Sequence, residues 1–125
     1  MTLFDNTVET ISKSLDLHLL RHSVISDNIA NAETPQFKAR KVEFENELQQ
    51  AVEANETGAL GPSIENVQAK IVQDPKNEMG QDLNTVDMDR EMAALTKNDI
   101  QYSAGTQLIN KKFLFLKYAI GEGRN

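Results

Sequence analysis

Cysteine is absent from the 125 residues, which excludes disulfides and thiolate metal sites and leaves the redox compartment open. Tryptophan is absent too. Aromatics make up 6% and apolar residues 39%, a lean supply for a compact core. No run approaches the roughly 18 apolar residues of a membrane span. The N-terminus lacks a basic start followed by an uninterrupted apolar stretch, so a protein that stays in the cytoplasm, or leaves without a cleaved signal, is expected. There is no glycine-rich phosphate loop, no nucleophile elbow and no thiol, so an enzyme is not expected. With no long interior linker, one elongated domain is expected.

Positive charge is scarce overall and unevenly placed. The formal net charge is -6; residues 1–41 hold five acids and five bases, residues 42–91 twelve against three, and residues 92–125 two against five. Without a basic footprint, nucleic acid is not an expected partner. The asymmetry suits acid-to-base packing of copies, and equally a solvated acidic face.

What is present is helical periodicity at both ends. Met88, Met92, Leu95, Asp99, Tyr102, Thr106, Ile109, Phe113, Leu116 and Ile120 step by four and three residues, the spacing of a coiled-coil seam. Asp87 suits the N-cap, Asp89 and Glu91 the first turn, Lys111, Lys112 and Lys117 the last turns, and Gly121 a C-terminal cap. A helix of roughly 33 residues would run about 50 Å and needs a long partner. Val8, Ile11, Leu15, His18, His22, Ile25, Ile29 and Ala32 supply one, capped by Asn6 or Thr7 and ending near Ala32, because Thr34 precedes Pro35. The fold class expected is mainly α: long N- and C-terminal helices paired as an antiparallel, coiled-coil-like hairpin, with a small irregular middle segment. The proposed register sets His18 beside Thr106, His22 beside Tyr102, Ile25 beside Asp99 and Ala32 beside Met92. Leu17, Leu20, Ile100, Leu108 and Phe115 fall off this seam and should face solvent, to be covered by other copies or other proteins.

The chain thus divides into residues 1–34 (N-terminal helix), 35–86 (crossing segment and acidic middle) and 87–125 (C-terminal helix). Phe37, Ala39, Val42 and Phe44 are too irregular for a strand and suggest an extended crossing segment beside the cluster Lys38, Arg40 and Lys41. Phe44, Leu48 and Ala51 or Val52 suggest a short helix to about Asn55, ended by Gly58, Gly61 and Pro62. Ile64 to Gln73 fits a strand and a helix equally well, and Asp74 to Asn84 reads as a loop.

Few residues suggest chemistry. His18 and His22 have the i, i+4 spacing of a two-histidine metal face but lack a third ligand nearby, so polar seam residues that fix register are the better account. Asp87, Asp89 and Glu91 are explained as helix-start acids, and Met88 and Met92 as core. Ser103, Ala104 and Gly105 place small residues mid-helix, where close approach of another helix, or simple tolerance, accounts for them. No metal, cofactor or small-molecule substrate is expected. The run Ser26-Asp27-Asn28-Ile29-Ala30-Asn31-Ala32-Glu33-Thr34-Pro35 stands apart, since a helix stop explains Asn31 but not the whole.

That run carries a resemblance. Asn28-Ile29-Ala30-Asn31-Ala32 with Thr34-Pro35 resembles the signature of the rod and hook proteins of the bacterial flagellum, and Val86-Asp87-Met88-Asp89-Arg90-Glu91-Met92 resembles the opening of their C-terminal helix. Leu20-Arg21-His22, Phe37-Lys38-Ala39-Arg40, Tyr102-Ser103-Ala104 and Leu116-Lys117-Tyr118-Ala119-Ile120 are most similar to proximal rod proteins. The resemblance covers roughly the first 48 and last 40 residues. It implies a non-catalytic structural subunit of the basal-body rod in the periplasmic space, exported by the flagellar type III apparatus without a cleaved signal. Expected partners are other copies, neighbouring rod proteins and the adaptor to the membrane ring. The alternative is a cytoplasmic helical adaptor or export chaperone. The implied assembly motif is Asn28, Ile29, Ala30, Asn31, Thr34 and Pro35; the seam is Val8, Ile11, Leu15, His18, His22, Ile25, Met88, Met92, Leu95, Tyr102, Ile109, Phe113 and Leu116. One departure is Gln36, where the family usually has Gly after Thr-Pro; a turn with φ above zero there costs Gln sterically.

Overall fold

The computed structural model describes residues 2–75 and 79–122. Two long helices dominate it, α1 (Thr2–Ala30) and α3 (Met88–Glu122). α1 starts upstream of the caps expected at Asn6 or Thr7. It ends at Ala30 rather than Ala32, because beyond Asn31 the backbone tightens to three-residue steps, Ala32 N to Ile29 O at 3.2 Å and Thr34 N to Asn31 O at 3.0 Å. At the head of α3, Arg90 N donates to Asp87 Oδ1 at 3.2 Å, the N-cap bond. Gly121 is a correction: α3 runs through it to Glu122, and among the described glycines only Gly58 takes a positive φ. Glycine permits a left-handed cap without compelling one.

The helices pair antiparallel, as the fold class requires, but in a different register. His18 bonds Asn98, His22 bonds Asp99 and Asn28 bonds Glu91, while Gly105 faces Leu15. His22 was expected beside Tyr102 and Asn98 lies near no expected partner, so α3 sits about one turn away from the predicted pairing. The inner face of α3 is Glu91, Leu95, Asn98, Tyr102, Gly105 and Ile109. It keeps the four-three steps but swaps Met92 and Asp99 for the residues just before them, and half-buried Thr106 shares its level with Gly105.

Between the helices lie β1 (Arg40–Glu43), α2 (Glu45–Thr57), a 3₁₀ turn (Ile64–Asn66) and β2 (Lys70–Gln73). The strands pair antiparallel, with Arg40 opposite Gln73 and Glu43 opposite Lys70. The segment expected to be merely extended therefore ends in a strand, and Ile64 to Gln73 holds one turn of helix followed by a strand. α2 closes on Gly58 at φ 67, a left-handed C-cap. At Gly61 an added Cβ would stand 2.5 Å from Ala54 Cβ, so the loop after α2 can fold back onto that helix only without a side chain.

The hydrophobic core is built here and not along the helix seam. Leu17 and Val24 from α1 meet Val42, Phe44, Ala51, Ile64 and Val67, flanked by Leu48, Val52 and Ala69. Each such large side chain stabilises the fold by about 1.5–3 kcal/mol on leaving water. Leu17 is thus another correction: the middle segment covers it. Lys13 Nζ, bonded to Glu65 O at 3.0 Å, ties α1 to the 3₁₀ turn of this head. α2 reaches alongside α1 as far as Asn6 and Thr7, and the last turns of α3 with the α1 face they pack on form an arm that the head leaves open on its outer side.

Candidate functional site

The signature at the end of α1 builds a polar joint. Asn28 is fully buried, at 0% exposure, and its amide is used at both ends. Nδ2 donates to Arg40 O at 2.7 Å and to the Glu91 carboxylate at 3.1 Å, while Oδ1 accepts from Arg40 N at 3.0 Å. One side chain thereby ties α1 to the start of β1 and to the first turn of α3. Burial of Glu91 at 6% exposure is tolerated because that carboxylate is hydrogen-bonded. Ile29 is half-buried beside Asn28, and Ala30 is the exposed last residue of the helix.

Asn31 and Thr34 shape the turn that follows. Thr34 Oγ1 donates to Asn31 Oδ1 at 3.1 Å, and Pro35 leads into Gln36, which adopts φ 65. The left-handed turn expected after Thr34-Pro35 is therefore present, and Gln occupies it. Gln36 N donates to Asp82 O at 2.9 Å, which fixes the turn against the loop before α3.

That loop supplies the other half of the joint through Asn84. Its Nδ2 lies within 2.7–3.1 Å of Asn31 O, Ala32 O and Thr34 O, and its Oδ1 accepts from Val86 N at 2.7 Å. Thr85 adds two bonds, its N–H to Phe37 O at 3.0 Å and its hydroxyl from Ala39 N at 2.8 Å. Nothing in the sequence periodicity selects these residues. An Asn-Thr pair just ahead of a helix N-cap is the available signal, because both types bond backbone readily.

Two turns earlier on the same face of α1, Arg21 locks the head. Its guanidinium donates to Val42 O at 2.8 Å, pairs with Glu45 at 2.6 Å and lies 4.3 Å over the Phe44 ring. Burial alone would raise the Glu45 pKa; Arg21 and the backbone amides of Glu45 and Phe44 outweigh it and hold it at about 2. His18 is buried with its ring edge-on to Phe44, centroids 5.2 Å apart, and Nδ1 is 2.8 Å from Asn98 Oδ1. Asn98 Nδ2 donates back to His18 O at 2.9 Å. His22 sits at the surface, 3.0 Å from Asp99. Among the described residues no cluster of three His, Asp or Glu side chains is placed to hold a metal.

Along the helix pair, Ile25 is buried, and Val8, Ile11, Leu15, Leu95, Tyr102, Ile109 and Leu116 are half-buried. Met88, Met92 and Phe113 are corrections to the seam, at 43%, 49% and 53% exposure. They flank the inner face, whose positions nearest α1 are taken by polar Glu91 and Asn98, which a search for apolar residues passes over. Gly105 has a contact reason: a Cβ there would stand 2.8 Å from Leu15 Cδ2, so the helices approach closely at this level. Leu20, Ile100, Leu108 and Phe115 are exposed as expected, joined by Leu19, Leu114, Tyr118 and Ile120. The arm thus carries a run of exposed apolar side chains that nothing among the described residues covers.

No protein-family model matches the chain. Single proteins do. It is 34% identical to flagellar basal body rod protein FlgB of Bacillus subtilis over 129 residues, covering 99% of this chain and 100% of that one. It is 34% identical over 122 residues to FlgB of Borreliella burgdorferi, covering 86% and 90%, and 30% identical over 113 residues to FlgB of Salmonella typhimurium, covering 80% and 82%.

Proposed function

The chain belongs to the FlgB family of flagellar basal body rod proteins, and from that footing we propose how a non-catalytic rod subunit of this construction works. Its α1 and α3 pack side by side with other copies, with neighbouring rod proteins and with the adaptor at the membrane ring. Torque passes through those packed helices, not through any one site. The protein reaches the periplasmic space through the flagellar type III exporter, without a cleaved signal. Asn28, Ile29, Ala30, Asn31, Thr34 and Pro35 serve assembly indirectly, by building the joint that sets the direction of the arm relative to the head. The seam residues serve by holding α1 and α3 in one register.

The observation that carries this reading is the arm itself, whose Leu108, Phe113, Leu114, Phe115 and Tyr118 are more than half exposed. Two helices cannot cover each other on all sides, and α2 packs against α1, so the outer side of the last turns of α3 stays open. The test follows the protein in cells. It should appear in the periplasm and in purified basal bodies, and both should vanish when the flagellar exporter is disabled. Retention in the cytoplasm with a working exporter would point instead to a helical adaptor or export chaperone.

A further inference from the structure

Two surfaces of opposite character are left without a partner inside the chain. The first is the outer side of the last turns of α3, where Leu114, Phe115 and Tyr118 are exposed beside Lys111 and Lys117. Neither lysine forms an ion pair among the described residues. The second is the cleft between α1 and α2, two adjoining grooves of about 480 and about 430 Å³. Leu48 and Val52 form its wall, and Thr10 and Ser14 of α1 form a floor of small side chains. Glu53 and Glu56 stand at the rim with no cation against them among the described residues.

Resting on the rod reading above, we propose that this acidic cleft seats the last turns of α3 from a second copy of the chain. The charges are complementary, acidic rim against basic helix, and they follow the imbalance between residues 42–91 and 92–125. The lengths agree as well. Glu45 to Glu56 and Lys111 to Glu122 are stretches of equal length, about 18 Å each at 1.5 Å per residue. Thr10 and Ser14 leave room for a helix to lie close, with Leu114, Phe115 and Tyr118 available to meet Leu48 and Val52. Because the two surfaces differ, each contact leaves one copy with an empty cleft and the other with an unused helix end. Such head-to-tail pairing propagates into an open assembly and does not close into a dimer.

The absence of native cysteine makes cross-linking a clean test. Cells lacking the unmodified chain would carry two single-cysteine copies together, Glu56→Cys and Lys111→Cys, and their basal bodies would be oxidised. A disulfide-linked pair in the mixture, absent when either copy is alone, is expected. In a second measurement, Lys111→Glu with Lys117→Glu should lower the number of assembled rods about tenfold. Glu53→Lys with Glu56→Lys should do the same, and the four changes together should restore assembly. Basal bodies that contain both cysteine copies without the mixed disulfide would overturn this docking while leaving the rod reading intact, as would a four-fold swap no better than either half. If the unmodified chain is itself missing from basal bodies, the rod reading fails and this proposal with it.

Discussion

Replacing Asn28 by alanine removes the three hydrogen bonds that hold the joint together. Two go to the backbone of Arg40 and one to the Glu91 carboxylate. A neutral bond contributes about 1 kcal/mol and one to a charged group about 1.5–3, and the backbone groups left behind cannot readily find water, since Asn28 is fully buried. The expected loss is about 4 kcal/mol, a large share of the roughly 5–15 kcal/mol that stabilises a domain of this kind. At about 2.1 cal/mol/K per residue of unfolding entropy, that is a fall in Tm of about 15 °C. Asn28→Asp sharpens the test because it keeps the shape and the acceptor for Arg40 N. It also sets a second carboxylate against Glu91 and against Arg40 O, so near pH 7 it should cost at least as much as alanine and should recover part of the loss towards pH 4. Asn31→Ala removes only local bonds at the helix end and should cost about 1 kcal/mol. Urea unfolding monitored by circular dichroism would measure all three. If Asn28→Ala costs less than about 1 kcal/mol, or no more than Asn31→Ala, the joint is not what the hydrogen bonds indicate.

Gln36→Gly should stabilise by about 0.5–1 kcal/mol, the relief of a strained left-handed φ of 65 less the extra freedom of the unfolded chain, whereas Gln36→Val should destabilise; a glycine variant that melts lower than the parent would contradict this. Cysteines at Leu15 and Gly105 should form an intramolecular disulfide and cysteines at Ala32 and Met92 should not, read as a mobility change on a non-reducing gel, because an added Cβ at 105 lies 3.6 Å from Leu15 Cγ. Glu45, with a pKa lowered from 4.5 to about 2, contributes stability that is complete above about pH 4.5 and lost as pH falls towards 2, because the unfolded carboxylate takes up its proton first. Its side chain is 61% exposed, so solvent screening limits the effect to about 1 kcal/mol; the stability gap between parent and Glu45→Gln should close over that window, and a gap independent of pH would exclude the Arg21 pairing as its source. In the isolated chain, amides of residues 13–28 should exchange slowly under the head and those of the last turns of α3 quickly, with protection of the latter appearing in basal bodies.

The four-three spacing made both long helices legible, along with their antiparallel pairing and the Asp87 cap, because those follow from local propensity and period. The register was not legible, and the reason is visible at Glu91, Asn98 and Gly105. A seam is ordinarily read from its apolar residues, while here the closest positions are a carboxylate, an amide and a glycine, each admitted by one specific partner across the interface. The core escaped for a different reason. Leu17, Val42, Phe44, Ile64 and Val67 come from separate short segments, and no window of sequence shows them as a set. The Asn-rich run was visible as an anomaly that a helix stop does not explain. Its partners, Asn84 and Arg40, lie 53 and 12 residues from Asn31 and Asn28, beyond the reach of any local rule.

The head and the arm share a helix but little else, and that division has a consequence for how such a chain tolerates change. Substitutions on the outer side of α3 alter what the subunit fits against while leaving its folded head unaffected, so this surface is free to diverge in step with its neighbours. The joint has no such freedom, because Asn28 and Asn84 each satisfy several backbone groups at once and no other side chain of that size sets two N–H donors beside a carbonyl acceptor. Drift in this lineage should therefore be fast on the arm and nearly arrested at two asparagines.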